Sequence, residues 1–174
     1  MAIKFPERTV PPKQERYQRR FYVDARVDPT DAATPDPIFY LLGEDNDDLT
    51  RDISWSNEQT RNVLGVTRST STVDGETVSA EPFYAREGDD MALLLQHFDM
   101  TKAELDSIKR TYYEAKIDNN GDTIYAFRQV ADIMLQSVGG PADNADNLPF
   151  EIALSGPKVE MEYDMATETF TEIP

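Results

Sequence analysis

The sequence contains no cysteine, and histidine and tryptophan occur once each among its 174 residues. The absence of cysteine excludes a disulfide framework, a cysteine-ligated zinc site and a catalytic cysteine. The single histidine, His97, offers neither a multi-histidine metal site nor a recognisable catalytic triad. The longest apolar runs, Ile38–Leu42 and Met91–Leu95, have five residues each, whereas a membrane-spanning helix needs about 20. Because the N-terminus also lacks the apolar core of a signal peptide, we expect a protein that folds in a reducing cytoplasm.

Basic residues are scarce and unevenly distributed. The chain has 17 Lys and Arg against 33 Asp and Glu, a net charge of −16. Residues 1–26 carry seven bases and three acids, or +4, so residues 27–174 carry ten bases and 30 acids, or −20. Such an acidic body repels nucleic acid. Charge alone favours a basic, disordered tail on a soluble body, and the alternative is a basic arm that docks on an acidic neighbour of the same kind.

Proline is concentrated near the N-terminus, where residues 1–37 contain six of the eleven prolines. Proline breaks helices and cannot donate to a sheet ladder. The range 1–37 is therefore predicted to be an extended basic arm, interrupted by one strand at Arg19–Val27. Residues 38–174 are predicted to form a single domain, long enough to bury a core without disulfides.

Alternating or short apolar segments predict a domain rich in β-strands. The expected strands are Ile38–Leu42, Leu49–Trp55, Thr77–Ala85, Ile108–Ile117, Phe150–Ser155, Lys158–Asp164 and Thr167–Thr171. Residues 56–76, between the second and third of these, are polar, contain two glycines and show little periodicity. They are predicted to form a long loop with a function or a loop flanked by irregular strands, because structureless loops of this length in compact domains usually have a function.

The clearest helical pattern covers Asp89–Phe98. Asp89 or Asp90 suits the N-cap after Gly88, and the positive end of the helix dipole favours acids there. Apolar residues at i, i+3, i+4 and i+7 predict a core-facing stripe. These core residues are Met91, Leu94, Leu95 and Phe98. A capping-box pattern at Thr101–Glu104 predicts a second short helical turn reaching Leu105.

Thr123–Val138 is consistent with two structures. Its apolar residues fit a helical stripe, and Gly139 suits a helix C-cap. The preceding Asn120-Gly121 pair, however, is a hairpin turn signal that predicts a strand paired back on Ile108–Ile117. The pattern of the segment alone favours the helix.

We find no catalytic or metal-binding constellation. Placing Gly121 at the glycine position of an EF-hand loop puts Lys116 at the first ligand position and Phe127 at the last, so the calcium motif fails. The phosphate-binding, dinucleotide-binding and nucleophile-elbow motifs are also missing from the sequence. We therefore expect a protein that is not an enzyme and that needs no metal and no cofactor.

The order and spacing of several segments resemble those of a known family. They are Ile53-Ser-Trp55, Asn62-Val-Leu-Gly65, Glu81-Pro-Phe-Tyr84, Gly88–Leu95 and Leu154-Ser-Gly-Pro157. A further matching feature is the predicted hairpin that begins with the strand Ile108–Ile117, which contains Tyr112 and Tyr113. This order of segments resembles that of the major tail (tail tube) proteins of long-tailed, siphophage-like bacteriophages.

The resemblance implies a mainly β fold with some helix, a β-sandwich or split barrel flanked by one short helix at about 89–98. It implies that Thr123–Val138 is a strand, that six copies form a ring, and that rings stack into a tube whose acidic lumen lets DNA pass without specific binding. The partners it implies are a tape-measure protein, a tail terminator and a distal tail adaptor. The location it implies is the virion tail, assembled in the host bacterial cytoplasm.

These expectations assign roles to two groups of residues. The proposed anchors between subunits in the arm are Arg16, Arg19, Arg20 and Arg26. The proposed contacts between rings, within Asn57–Thr72, are Asn57, Arg61, Asn62, Arg68 and Thr72.

Three other functions remain open at the level of sequence. One is the inner tube of a contractile tail or injection particle, which shares the architecture. Another is a monomeric β-sandwich module for virion decoration or host recognition. The third is a carboxylate-dependent hydrolase, which requires two acids buried side by side, one with a raised pKa.

Overall fold

The described part of the chain is dominated by β-strands. A computed structural model describes residues 18–43, 46–102, 108–140 and 146–173, so Arg16 lies outside the described residues. The elements in chain order are β1 (Arg19–Asp24), β2 (Phe39–Leu42), β3 (Asn46–Arg61), β4 (Thr67–Phe83), α1 (Asp90–Thr101), β5 (Lys109–Ile117), β6 (Thr123–Leu135), β7 (Phe150–Asp164) and β8 (Thr169–Glu172).

The described strands form one antiparallel sheet. Their order is β2-β1-β5-β6-β7-β4-β3, and β8 pairs with β7. The prediction of a mainly β fold with one short flanking helix is therefore confirmed. The β1 strand lies between β2 and β5, so the strand that the sequence placed within an arm belongs to the interior of the sheet.

The sheet curls so that its distant strands approach one another. Arg51 on β3 lies 3.3 Å from Glu114 on β5, although three strands separate them in the strand order. The rings of Tyr40 on β2 and Phe83 on β4 lie 6.5 Å apart. A flat sheet could not form either contact, so the strands curve toward a split barrel.

The first core lies on the inner face and includes the helix. The Asp89 side chain caps α1 by accepting a hydrogen bond from the Met91 backbone N–H, and Lys102 ends the helix in a left-handed conformation. All four helix residues predicted for the core are buried there: Met91, Leu94, Leu95 and Phe98. The helix prediction is confirmed, and the helix continues to Thr101. Residues 103–105 of the second predicted turn lie outside the described residues.

A second core covers the opposite face of the sheet. Strand alternation places Tyr22 on this face, while its neighbours Phe21 and Val23 belong to the first core. The hydroxyl groups of Tyr22 and Tyr163 share a hydrogen bond of 2.9 Å. Phe170, on β8, packs against both rings, so the predicted terminal hairpin exists and closes this core.

The predicted loop at residues 56–76 is wrong, because these residues form two paired strands. β3 and β4 make an antiparallel hairpin closed by the short turn at residues 62–66. Residues 52–74 are exposed on both faces. The sequence therefore lacks the apolar alternation that marks a half-buried strand, although its many Thr residues favour extended backbone.

Thr123–Leu135 is strand β6, so the helical stripe was misleading. The segment pairs with β5 on one side and β7 on the other. Asp118 fixes the turn before it: its Oδ1 accepts hydrogen bonds from the backbone N–H groups of Asn120 and Asp122. Gly121, at φ 91°, takes the left-handed conformation that glycine tolerates. The turn signal was thus the better guide than the stripe.

Candidate functional site

The most prominent surface feature of the described chain is the outer part of the β3–β4 hairpin. The ladder shifts register between Ser54 and Trp55, where Trp55 comes to lie opposite Val73. Beyond this bulge, Trp55–Arg61 projects by about 24 Å at ~3.4 Å per residue. β3 is the last strand in the strand order, so among the described strands none pairs with the outer edge of Trp55–Arg61.

The hairpin tip is an ordered turn that presents apolar side chains to solvent. The Asn62 side chain accepts hydrogen bonds from the backbone N–H groups of Leu64 and Val66, at 3.0 and 2.9 Å. Gly65 has a φ of 80°, which a side chain would strain. Val63 and Leu64 are almost completely exposed. The turn thus fixes two apolar side chains at the end of the hairpin.

The two faces of the projecting hairpin differ in chemistry. One face, here called the Trp55 face, consists of Ile53, Trp55, Asn57, Gln59, Arg61, Thr67, Ser69, Ser71 and Val73. The other, here called the Glu58 face, consists of Ser56, Glu58, Thr60, Arg68, Thr70 and Thr72. The Trp55 face is apolar near the body, where Trp55 is 65% exposed. The Glu58 face carries only hydroxyl and charged side chains.

A buried carboxylate, Glu114, fixes the base of the hairpin. Its side chain is fully buried. Its oxygens accept hydrogen bonds from the hydroxyls of Tyr112 and Tyr125, at 3.0 and 2.8 Å. The Nε atoms of Arg19 and Arg51 lie 3.4 and 3.3 Å from it. A charge so far from water is tolerated only when paired and hydrogen-bonded, as it is here.

The ionic contacts continue from Arg51 to neighbouring strands. Arg51 Nη1 donates to Glu76 at 3.0 Å, and Lys158 Nζ donates to the other oxygen of Glu76 at 2.8 Å. Arg51 and Lys158 also lie over the ring of Phe127. This network joins β3, β4, β5 and β7, so it sets the direction in which the hairpin leaves the body.

The tyrosines around Glu114 are held in their neutral form. Burial raises the pKa of Tyr112 well above its ordinary value, and the charge of Glu114 raises it further. Burial also raises the pKa of Tyr125, as does its hydrogen bond to Glu114. Both hydroxyls therefore remain donors to the carboxylate. The contacts of Glu114 with two arginines and two hydroxyls give it a structural role.

The described arginines of the predicted arm have partners within the same chain. Arg19 contacts Glu114, and Arg20 donates a hydrogen bond to Glu168. Arg26 Nη2 lies 2.6 Å from Asp24, an ion pair that raises the pKa of Arg26. Their function between subunits stays a prediction.

The structure brings the five predicted ring-contact residues together on one hairpin. Asn57 and Arg61 lie on β3, Asn62 lies in the turn, and Arg68 and Thr72 lie on β4. Asn57 Oδ1 accepts a hydrogen bond of 2.6 Å from Ser69 across the strands. The four helix residues contribute to the core and lie away from this surface.

Sequence reasoning missed the exposed tryptophan and the network below it. Trp55 was predicted to end the strand Leu49–Trp55, and the structure instead places it within a longer strand with its side chain largely exposed. No local signal marks Glu114, because its neighbours Tyr113 and Ala115 point to the other face of the strand, and a charged residue at such an alternating position usually faces solvent.

Within the described ranges, no group of three or more His, Asp or Glu side chains is placed to hold a metal ion. No helix in the same ranges has the length and apolar character needed to cross a membrane.

Comparison with known proteins yields a likeness of fold. No protein-family model and no curated protein matches the chain. Among solved structures, the cryo-EM structure of the anti-feeding prophage cap, described as the AFP tube terminating cap, matches 88% of this chain and 93% of that chain. The sequence identity is 12% and the TM-score is 0.50. The two proteins therefore share a fold across almost their whole lengths.

Proposed function

We propose that this chain is a non-enzymatic structural subunit of a phage-type tail that associates into rings through its projecting hairpin. The hairpin carries the proposal: residues 52–74 are exposed on both faces, and β3 is a terminal strand of the sheet. The exposed edge of a terminal strand is a ready template for pairing with another chain, and a permanent partner covers that edge. The fold shared with a tube terminating cap supports a place in a tail.

The subunits form hexameric rings that stack into a tail tube. Head-to-tail contacts close into a ring when their rotation closes, and a projecting hairpin with a separate receiving surface suits such contacts. Genome DNA passes through the lumen without specific binding, because a chain of net charge −16 repels phosphate. The proposed partners are a tape-measure protein, a tail terminator and a distal tail adaptor. Assembly takes place in the host bacterial cytoplasm, and no cofactor participates.

A second candidate is a ring that ends a tube instead of extending it. The matched structure is described as a tube terminating cap of an anti-feeding prophage, which favours this alternative and the setting of a contractile injection particle. A capping subunit forms single rings of fixed size. A tube subunit forms hollow tubes of variable length.

Negative-stain electron microscopy with light scattering, over a concentration series of the full chain, tests the proposal. Rings or tubes support it, and their length distinguishes tube from cap. A shortened variant in which an Asn-Gly turn joins Ser56 to Thr72, which are cross-strand partners, serves as the control. We expect it to fold with a cooperative unfolding transition and a far-UV circular dichroism spectrum that still shows a mainly β protein, and to remain monomeric. A wild-type chain that stays monomeric at every concentration would instead favour the binding-module function.

A further inference from the structure

We propose that a second copy of this chain covers the Trp55 face of the hairpin, while the Glu58 face stays open to solvent. The inference rests on the proposed function and goes beyond it, because self-association alone does not determine which face is buried. The strand register determines which residues share a face: Trp55 lies opposite Val73 on one face, and Ser56 lies opposite Thr72 on the other.

The apolar side chains of the outer strands are confined to one face. Trp55, Ile53 and Val73 are neighbours on the Trp55 face and are 65%, 43% and 45% exposed. The Glu58 face has no apolar side chain between Ser56 and Thr72. Interface cores are enriched in aromatic residues surrounded by apolar contacts, and tryptophan is prominent among the residues that dominate binding energy.

Charge complementarity identifies a second copy as the occupant. Beyond the bulge, from Trp55 and Val73 outward, the Trp55 face carries one cation, Arg61, and no carboxylate, so this outer part has a net charge of +1. Glu76, the cross-strand partner of Ile53, lies below it and is paired with Arg51 and Lys158. Since the whole chain carries −16, the rest of the chain carries −16 − 1 = −17. Another copy therefore offers an acidic surface to Arg61, whereas a nucleic acid approaching the same face meets the repulsion of the body.

The Trp55 face is also held in place before any partner binds. It continues the inner face of β3, on which Leu49 and Arg51 precede Ile53. The contact of Arg51 with the buried Glu114 fixes this part of the strand against β5. A surface held rigid in advance loses less conformational entropy on binding.

Trp55 is the single tryptophan of the chain, so the unmodified protein reports on this face. Intrinsic fluorescence and acrylamide quenching are measured across the concentration at which light scattering detects assembly. We expect the emission to shift to shorter wavelength and quenching to slow about tenfold as the face is dehydrated. Assembly with unchanged emission and quenching would overturn the inference and leave the proposed function intact.

A cysteine-free chain also allows a matched pair of labelling variants. Ser71→Cys places a thiol on the Trp55 face. Thr72→Cys, at the next residue in the chain, places a thiol on the Glu58 face. In the assembled state we expect maleimide labelling at position 71 to slow at least about tenfold while position 72 stays reactive. Equal reactivity, or protection of position 72 instead, contradicts the face assignment.

Two further outcomes separate the remaining possibilities. If Ser71→Cys becomes protected only after duplex DNA is added, the occupant is a nucleic acid and the inference is wrong. If wild type and both variants remain monomeric with reactive thiols at every concentration, the inference and the proposed function fail together.

Discussion

Arg51, on the strand that leads into the hairpin, places its Nε atom 3.3 Å from Oε2 of the fully buried Glu114. The contact joins two strands that are far apart in the order of the sheet. It therefore holds the sheet in its curled form and the hairpin at a fixed angle to the body. Removing either partner leaves a buried charge with incomplete pairing.

We expect Arg51→Met to lower the free energy of unfolding by about 3 kcal/mol, because Glu114 stays buried with one arginine fewer. Equilibrium urea unfolding measures the change. Lys158→Met is the matched control: it removes a half-exposed end of the same network and should cost less than about 1 kcal/mol. Equal stability of Arg51→Met and wild type would contradict a structural role for the network.

The helix offers a second matched pair. Leu95 is completely buried in the first core, while Leu93 on the same helix is 47% exposed. Leu95→Ala should destabilise the fold by about 2–5 kcal/mol through lost packing and the cavity left behind. Leu93→Ala should change it by less than about 0.5 kcal/mol. Thermal or urea unfolding of the two variants checks the prediction, and similar losses would show that the helix is oriented differently.

The helix and the hairpin show why sequence reasoning succeeded in one place and failed in another. Asp89 and the Met91–Phe98 stripe are local signals, because cap and apolar face lie within one element. The hairpin beyond Ser54 is exposed on both faces, so no apolar alternation could reveal its strands. Arg51 and Glu114 become neighbours only through the curvature of the sheet, which no local pattern encodes. Trp55 is exposed because it lies in the part of the hairpin that projects from the body.

Alkaline pH should destabilise the protein through its buried tyrosines. Burial raises the pKa of Tyr22, and its hydrogen bond with Tyr163 raises it further. Because the pKa is higher in the folded state than the unfolded value of about 10, the stabilisation is complete below about pH 10 and is lost as the pH rises toward the folded pKa. Urea midpoints measured from about pH 9 to about pH 11, with tyrosinate absorbance, test this.

Tyr22→Phe is the control for the alkaline effect. The variant has no hydroxyl to ionise at this position. Above about pH 10 its free energy of unfolding should therefore fall less steeply than that of wild type, by up to about 1.4 kcal/mol per pH unit. If wild type and Tyr22→Phe show the same slope, Tyr22 ionises at an ordinary pKa in the folded protein.

Arg26 distinguishes an anchor between subunits from a contact within one subunit. It pairs with the buried Asp24 and donates to the backbone carbonyls of Thr34 and Pro35, at 3.1 and 2.9 Å. Arg26→Ala should therefore lower the unfolding free energy of the monomer by about 1–3 kcal/mol. Unchanged monomer stability combined with lost assembly would instead support the inter-subunit function predicted from the sequence.

The hairpin tip tests whether the hairpin reaches an adjacent ring. Val63 and Leu64 are almost completely exposed, so the double change Val63→Ser, Leu64→Ser should leave monomer unfolding unchanged. If the tip contacts a neighbouring ring, the double change should raise the protein concentration needed for ring stacking about tenfold, which corresponds to ~1.4 kcal/mol of lost contact energy. Single rings should persist. Thr60→Ser on the Glu58 face is the control. Loss of the rings themselves would show that the tip acts within a ring, and normal tubes would exclude the tip from both contacts.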